Sequence, residues 1–517
     1  MLLENPLKRL DRRKVGGFFA LLVFCALVVG GIVYLSYYQN SLFLSLVFVL
    51  GLGGMMMFLA ISGLENFRQI WGFVAVAMIP LALTGDVELG PFKASFGILV
   101  YMINTLIIVA DKLSGYTRAN EKRSVFSKPL RLLLILTVIS TLLSAFRLYG
   151  IIDLAYFLLA SSTFVFLRRY FNTKEQQLKL IKLFAFVSIY ILLIATAEHL
   201  KQGNYNALLT GFKPYEGLGD ERFRVNGIFH NANSYGFFAG AVSLFFGGLS
   251  LYFHKRRQRL WTYISAGIFV WGAATLWFCQ SRGAFIAYLA ALLFLVLAAP
   301  PPKKRFGVWV VVIPLMVGVI AWLFVFSDTG SRLTNLSALT TRSIQIATAE
   351  DVKEQMNLIA TLARPILWII GFKLWQASPL LGIGHSNTIH YIGPYLPPML
   401  RPIQGILFHF HSIYLNILYE GGLLSFGAFL WFLGKLISHV FGGLRHRGYF
   451  TGYASLALGA VWVHLFAHGL VDTTFAMGRH YAEAGIFFLF LAFQAFIADR
   501  VKRRRHIAKL RRERASY

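Results

Sequence analysis

Apolar runs of about twenty residues, broken by short polar or charged stretches, recur along the whole chain. They fall near 17–35, 41–62, 67–85, 94–111, 127–146, 148–167, 179–199, 234–253, 260–280, 283–300, 306–326, 412–439, 451–471 and 481–498. Each is long enough to cross a hydrocarbon layer about 30 Å thick as a helix. A helix also satisfies its own backbone hydrogen bonds where no water can. The pattern predicts an all-α polytopic integral membrane protein of about 14 transmembrane helices, within a range of 12–14. The first run, 17–34, has no small-residue cleavage site and reads as a retained helix rather than a signal peptide. Only Arg147 and its neighbours separate the fifth run from the sixth.

Two segments break the rhythm of short connections. One runs from Leu200 to Asn233, and the other from Ser327 to His411. A structureless loop as long as the second is unusual in a folded protein, so short helices are expected inside it. The pattern from Ile359 to Trp375 reads as one, lying near the membrane surface. The chain then divides into five regions: N-terminal transmembrane helices (1–199) as scaffold, central transmembrane helices (200–326) with the outer loop 200–233, a large extracytoplasmic loop (327–411), C-terminal transmembrane helices (412–499), and a basic cytoplasmic tail (500–517).

Composition supports the bilayer as solvent. Of 517 residues, 57% are hydrophobic and 14% charged, with a mean hydropathy of +0.62. Soluble domains carry about a quarter charged residues. The net charge of +28 would suggest nucleic acid in a soluble protein, but here its placement matters more. With the N-terminus inside, alternate loops hold 36 of the 50 Lys and Arg residues, as the positive-inside rule requires of an even helix number. The chain is therefore expected to span its membrane with both termini cytoplasmic. The tail Arg500–Arg514 anchors that topology and touches anionic headgroups, with no nucleic-acid partner expected. The two cysteines, Cys25 and Cys279, give neither a disulfide framework nor a zinc spacing.

The candidate chemistry gathers on the predicted outer face. Arg282 sits in Gln280-Ser281-Arg282-Gly283, where two apolar runs meet with no loop between them. A guanidinium that close to hydrocarbon needs a partner or must snorkel. Arg364 precedes Pro365 and Trp368, and Arg224 precedes a polar stretch ending in Asn231-Ala232-Asn233. Each alone reads as a headgroup or structural contact; three on one face read as an anion site. His409 and His411 stand at i and i+2, on one side if the segment is extended. Ser412 is placed to cap the next helix, whose N-terminus favours phosphate oxygens. No carboxylate or third histidine lies at a known ligand spacing from this pair, so no metal is expected. His464, His468 and Asp472 fall on one helical stripe and could support the site or simply bond between helices.

These segments together resemble the O-antigen ligase and polymerase superfamily of bacterial membrane glycosyltransferases. The resemblance rests on Arg224 to Asn233, Ser281-Arg282-Gly283, Arg364 with Trp368, Pro379-Leu-Leu-Gly-Ile-Gly384, and His409-Phe-His411-Ser-Ile-Tyr-Leu415 with Glu420-Gly421. It spans roughly 220 to 425 and leaves the first helices as scaffold. Ser412 departs from the family's usual Asn after the second histidine, and family members are generally read with fewer helices.

The resemblance implies a GT-C-like fold and a donor glycan on a polyprenyl (undecaprenyl) diphosphate at the outer leaflet. The glycan would pass to the hydroxyl of a glycan or lipid-anchored acceptor, with membrane lipids as the other partners and no cofactor. His411 is the first choice as general base, with His409 as its alternative or orienting neighbour. Arg282 and Arg364, helped by Arg224, would bind the leaving diphosphate. Ser412, Asn233, His468 and Asp472 would support them. Direct attack predicts inversion at the anomeric carbon. A ligase and a polymerase of lipopolysaccharide, capsule or exopolysaccharide share this chemistry, and the sequence does not separate them. The alternative is a lipid-linked oligosaccharide or polysaccharide transporter (a flippase), for which Glu65, Asp153 and Glu198 would be the charges to examine.

Overall fold

The computed structural model describes residues 64–81, 87–89, 92–94, 96–114, 124–200, 224–229, 231–299, 356–398, 401, 409–446, 448–473 and 481–515. The predicted helices 17–35, 41–62 and 306–326, and most of the outer segment 200–233, lie outside them. The described residues form α1 (Leu64–Met78), α2 (Phe96–Leu113), α3 (Ser127–Leu143), α4 (Arg147–Tyr170), α5 (Lys174–Leu200), α6 (Ala232–Lys255) and α7 (Arg259–Phe278). They continue with α8 (Arg282–Ala298), α9 (Met356–Ala377), the single turn α10 (Thr388–Tyr391), α11 (Ile413–Leu444), α12 (Phe450–His468) and α13 (Tyr481–Ala515). Every predicted helix that falls on described residues is present, and the doubtful pair around Arg147 is two helices, α3 and α4.

Three boundaries differ from expectation for local reasons. The helix expected over 67–85 ends at Met78 and tightens into a 3-10 turn, Ile79–Leu81, because Pro80 has no amide hydrogen to continue it. A two-stranded antiparallel hairpin, β1 (Val87–Leu89) with β2 (Phe92–Ala94), follows in a chain expected to be all helix. The basic segment after Arg500 is helical, since α13 continues through it to Ala515.

Among the described residues, seven helices are long and apolar enough to cross a membrane: α4, α5, α6, α7, α11, α12 and the segment Glu483–Arg504 of α13. The chain is thus a helical, multi-pass membrane protein. α6, α12 and the apolar part of α13 form the buried centre, whereas α7 and α11 turn apolar side chains such as Tyr263, Val270, Leu424 and Leu430 outward. Small residues let the central helices approach closely. A Cβ on Gly248 of α6 would stand 2.6 Å from the Ala457 Cα of α12.

The feature that positions the site is a break in α11. Gly422 has φ +69° and ψ −177°, so the helix is interrupted between Tyr419 and Leu424. Broken backbone at membrane depth must find other partners. The segment Pro379–Gly384 supplies them: the Ile383 and Gly384 amides donate to the Tyr419 and Glu420 carbonyls at 3.1 and 2.9 Å. In return the Leu423 and Leu424 amides donate to the Pro379 and Leu380 carbonyls at 2.9 and 3.2 Å. The Glu420 carboxylate then accepts from the Ser386 amide (3.0 Å) and the Thr388 hydroxyl (2.7 Å), and its carbonyl from Ser140 of α3 (2.7 Å). Pro379–Gly384 and Glu420–Gly422 are therefore two halves of one joint.

A Cβ at Gly422 would strike the Leu380 carbonyl, and the positive φ disfavours any side chain there. Gly422→Ala should therefore destabilise the fold by roughly 2–4 kcal/mol, read as a lower thermal midpoint in detergent. A nearby change in open space, Gly427→Ala, should leave that midpoint within about 0.5 kcal/mol.

Candidate functional site

The loop that carries Arg224 is held by its backbone. Glu198, near the end of α5, accepts from the Asn226 and Gly227 amides at 3.1 and 2.6 Å, and the Val225 amide donates to the Phe278 carbonyl at 3.3 Å. Glu198 is thus used as a loop anchor. Arg224 then reaches the Cys279 carbonyl (3.2 Å) and the Asn233 side-chain oxygen (3.4 Å).

Asn233 lies in the first turn of α6, whose N-cap is Asn231, with its side chain accepting from the Ser234 amide at 2.8 Å. The Asn233 oxygen also takes the Ser281 hydroxyl at 2.8 Å, and its amide donates to Asp472 at 2.7 Å. Ser281 is the N-cap of α8 and accepts from the Ala284 amide. Arg282 is the first residue of that helix, and a Cβ on Gly283 beside it would lie 3.4 Å from the His468 ring. The sequence Gln280-Ser281-Arg282-Gly283 therefore turns α8 toward Arg224 and the end of α12 with no loop.

The histidine turn arrives from the other side. The Phe410 amide donates to the Asn416 side chain at 2.9 Å, and the Phe410 carbonyl accepts from the Trp368 indole at 2.8 Å. This fixes His409 and His411 on one side of the chain, their rings perpendicular with centroids 4.1 Å apart. Arg364 lies one helical turn before Trp368 on α9, within electrostatic reach of His468. The Ile413 amide at the start of α11 donates to the Gly469 carbonyl at 2.8 Å, tying the turn to the end of α12.

Two expectations need correction. Ser412 occupies the N-cap position of α11 but makes no capping hydrogen bond with its side chain; Asn416 organises the turn instead. His464, His468 and Asp472 do not share a helical stripe, because α12 ends at His468 and a turn carries Asp472 beyond it. His464 packs inside the bundle beside Tyr288 and Gly240. That same turn brings Asp472 to His409 and His411, so one ligand atom from each of the three lies within 4.8 Å of the others. No spacing rule could find this carboxylate, which follows the histidines by some sixty residues and a whole helical hairpin.

The trio could in principle hold a cation. However, both Asp472 oxygens already accept hydrogen bonds, one from Asn233 and one from the Thr473 amide at 2.7 Å, and Arg224 shares Asn233. What surrounds the trio is suited to anions. Three helix N-termini (α6, α8 and α11) converge on it, each with a positive dipole end, alongside Arg224. Gln280 and His411, which flank two of those termini, both have φ +49°, a conformation that costs a non-glycine residue energy and is typical of sites held under constraint. Behind the histidine turn lies a mostly apolar cavity of about 60 Å³, with Asn416, Glu420 and His385 on its polar side. Glu420 sits 3.7 Å from His385, whose burial lowers its pKa, and Asp153 faces the same ring.

Residues 267–432 match the O-antigen ligase family model. The matched stretch runs from α7 to the middle of α11 and bears out the resemblance to the O-antigen ligase and polymerase superfamily. The match includes Arg282, Arg364, His409 and His411, while Arg224, Asn233, His468 and Asp472 reach the same place from outside it. No curated protein matches the chain.

Burial alone would raise the Asp472 carboxyl, but His468, His411, His409 and the Thr473 amide bring it down to about 2 from the ordinary 3.8. A carboxyl lowered on folding stabilises the fold above its unfolded pKa and loses that contribution as pH falls through the folded value. Asp472 should therefore contribute on the order of 2 kcal/mol at neutral pH, fading between about pH 4 and pH 2. Thermal midpoints measured from pH 5 to pH 2 should fall less steeply in Asp472→Asn than in the parent chain.

Proposed function

We propose that the protein is a membrane glycosyltransferase that moves a glycan from a polyprenyl (undecaprenyl) diphosphate to an acceptor hydroxyl at the outer face of the bacterial cytoplasmic membrane, as an O-antigen or surface-polysaccharide ligase or polymerase. One observation carries this reading: three helix N-termini and the Arg224 loop meet around the imidazoles of His409 and His411 and the carboxylate of Asp472, with Arg282 the first residue of one of those helices. A family model for O-antigen ligases that covers α8, the histidine turn and the first half of α11 supports the glycan chemistry.

In this reading the diphosphate lies against Arg282 and Arg364, helped by Arg224 and the helix ends. Their fixed positive charge stabilises the developing leaving group without a metal. His411 accepts the acceptor's hydroxyl proton as the oxygen bonds to the anomeric carbon, with His409 as its neighbour or substitute. The bond from that carbon to the diphosphate oxygen breaks on the opposite face, and the electron pair leaves with the prenyl diphosphate. The configuration inverts. Asp472 orients the imidazoles and offsets the imidazolium as it forms, the task a carboxylate performs beside any catalytic histidine. Asn233 keeps that carboxylate in place and stops Arg224 from pairing with it. The prenyl chain lies along the apolar outer surface in the manner of GT-C-type enzymes. Glu198, one of the charges the transport reading calls on, is engaged as a loop anchor.

The test is transfer of a lipid-linked glycan by purified protein in vesicles. His411→Ala should reduce turnover about 10²–10⁴-fold at unchanged protein abundance. Arg282→Lys should fail as well, because a point charge does not replace a two-pronged contact. Turnover should persist in a chelator, and dependence on an added divalent ion would instead favour a cation on the His409, His411 and Asp472 group. Movement of intact lipid-linked glycan across the bilayer, without transfer, would favour the transport reading.

A further inference from the structure

The end of the bundle opposite this site carries a second collection of cations that the reaction does not use. It is built from the start of α5, the end of α6, the start of α12 and the latter part of α13. Tyr252 of α6 is its centre. The Lys174 ammonium lies 5.7 Å from the Tyr252 ring and 5.7 Å from that of Phe450, and the Arg256 guanidinium lies 6.0 Å from Tyr252 on its own helix. Lys255 stands 5.9 Å from Tyr453, and Arg504 stacks 4.2 Å from Tyr449. The rings are themselves packed together, Tyr252 lying 5.0 Å from Phe450 and 6.3 Å from Tyr453.

Arg500 completes the group, held by two hydrogen bonds of 3.1 and 2.7 Å to the side-chain oxygen of Gln177. Among the described residues no carboxylate forms an ion pair with Lys174, Lys255, Arg256, Arg500 or Arg504. The nearest acids on these helices are already engaged, Glu175 by Lys179 and Asp499 by Arg168. Arg500, Arg503 and Arg504 also share one helical face, where like charges at i+3 and i+4 repel. Aromatic faces, and Gln177 for Arg500, hold the cations in place but supply no counter-charge. A preformed cluster at the end of a membrane bundle, uncompensated among the described residues, calls for an anion that the membrane itself can present.

We propose that this cluster is a binding site for the phosphate of an anionic phospholipid headgroup. The rings of Tyr252, Tyr449, Phe450 and Tyr453 position the cations, and the phosphodiester bridges α5, α6, α12 and α13 across their ends. The acyl chains run down the apolar exterior of the bundle. The site joins the helix that carries Asn233 to the one that leads to Asp472, so a bound lipid braces both from the far end.

The experiment uses the purified full chain in a neutral detergent. Retained lipid is counted by native mass spectrometry, and thermal midpoints are recorded with added phosphatidylglycerol, phosphatidylcholine or inorganic phosphate. Phosphatidylglycerol should be retained and should raise the midpoint by several degrees, with no comparable rise from the other two. The double variant Lys174→Gln/Arg504→Gln, and separately Lys255→Gln, should weaken retention several-fold, whereas Lys179→Gln, whose lysine is paired on Glu175, should not. Equal retention by the variants overturns the site. An equal rise with phosphatidylcholine overturns its charge selectivity, and an equal rise with inorganic phosphate overturns the lipid in favour of a free anion.

Discussion

The candidate site depends on one buried carboxylate. Asp472 follows the turn beyond α12 and accepts from Asn233, which in turn receives Ser281 and Arg224. On its other side stand the two imidazoles of the histidine turn. A buried anion in an apolar surround must be matched by donors and positive charge, or it would take up a proton. That requirement draws α6, α8, the Arg224 loop and the start of α11 to one point. The surplus of positive charge left after Asp472 is satisfied is what suits the place to a second, larger anion.

The broken helix α11 does a related job for the backbone. Its interruption at Gly422 exposes amides and carbonyls that lipid cannot satisfy, and the Pro379–Gly384 segment fills them one for one. The joint fixes where α11 begins to run straight, and Asn416, four residues before Glu420, fixes the histidine turn above it. Trp368 then locks α9 onto the same turn. Two short glycine-bearing motifs with no evident chemistry of their own thus determine the placement of the residues that have it.

Strain collects in the same region. His411 and Gln280 both take the left-handed backbone conformation, although neither is glycine, and each stands just outside a helix N-cap. The packing around them, through Phe410, Asn416, Trp368 and Ser281, over-determines these conformations. Such cost is sustained where side chains must be aimed rather than merely accommodated.

Much of this was legible in the sequence. Helix formation in a bilayer depends on local runs of apolar residues, so every described span was visible as a run, down to the separation of α3 from α4 at Arg147. Arg224, Arg282, Arg364, His409 and His411 stood out because a charge or a paired imidazole beside hydrocarbon is costly and therefore conspicuous. What sequence could not supply was distance between segments. The meeting of Asp472 with two histidines some sixty positions earlier depends on where α12 stops and which way the chain turns after it, and a helical stripe misplaces it. The role of Ser412 passed to Asn416, and Glu198 became a loop anchor, for the same reason: hydrogen-bond partners are chosen by packing. Local hydrophobicity determined the helices, and only tertiary contact decided which polar groups face one another.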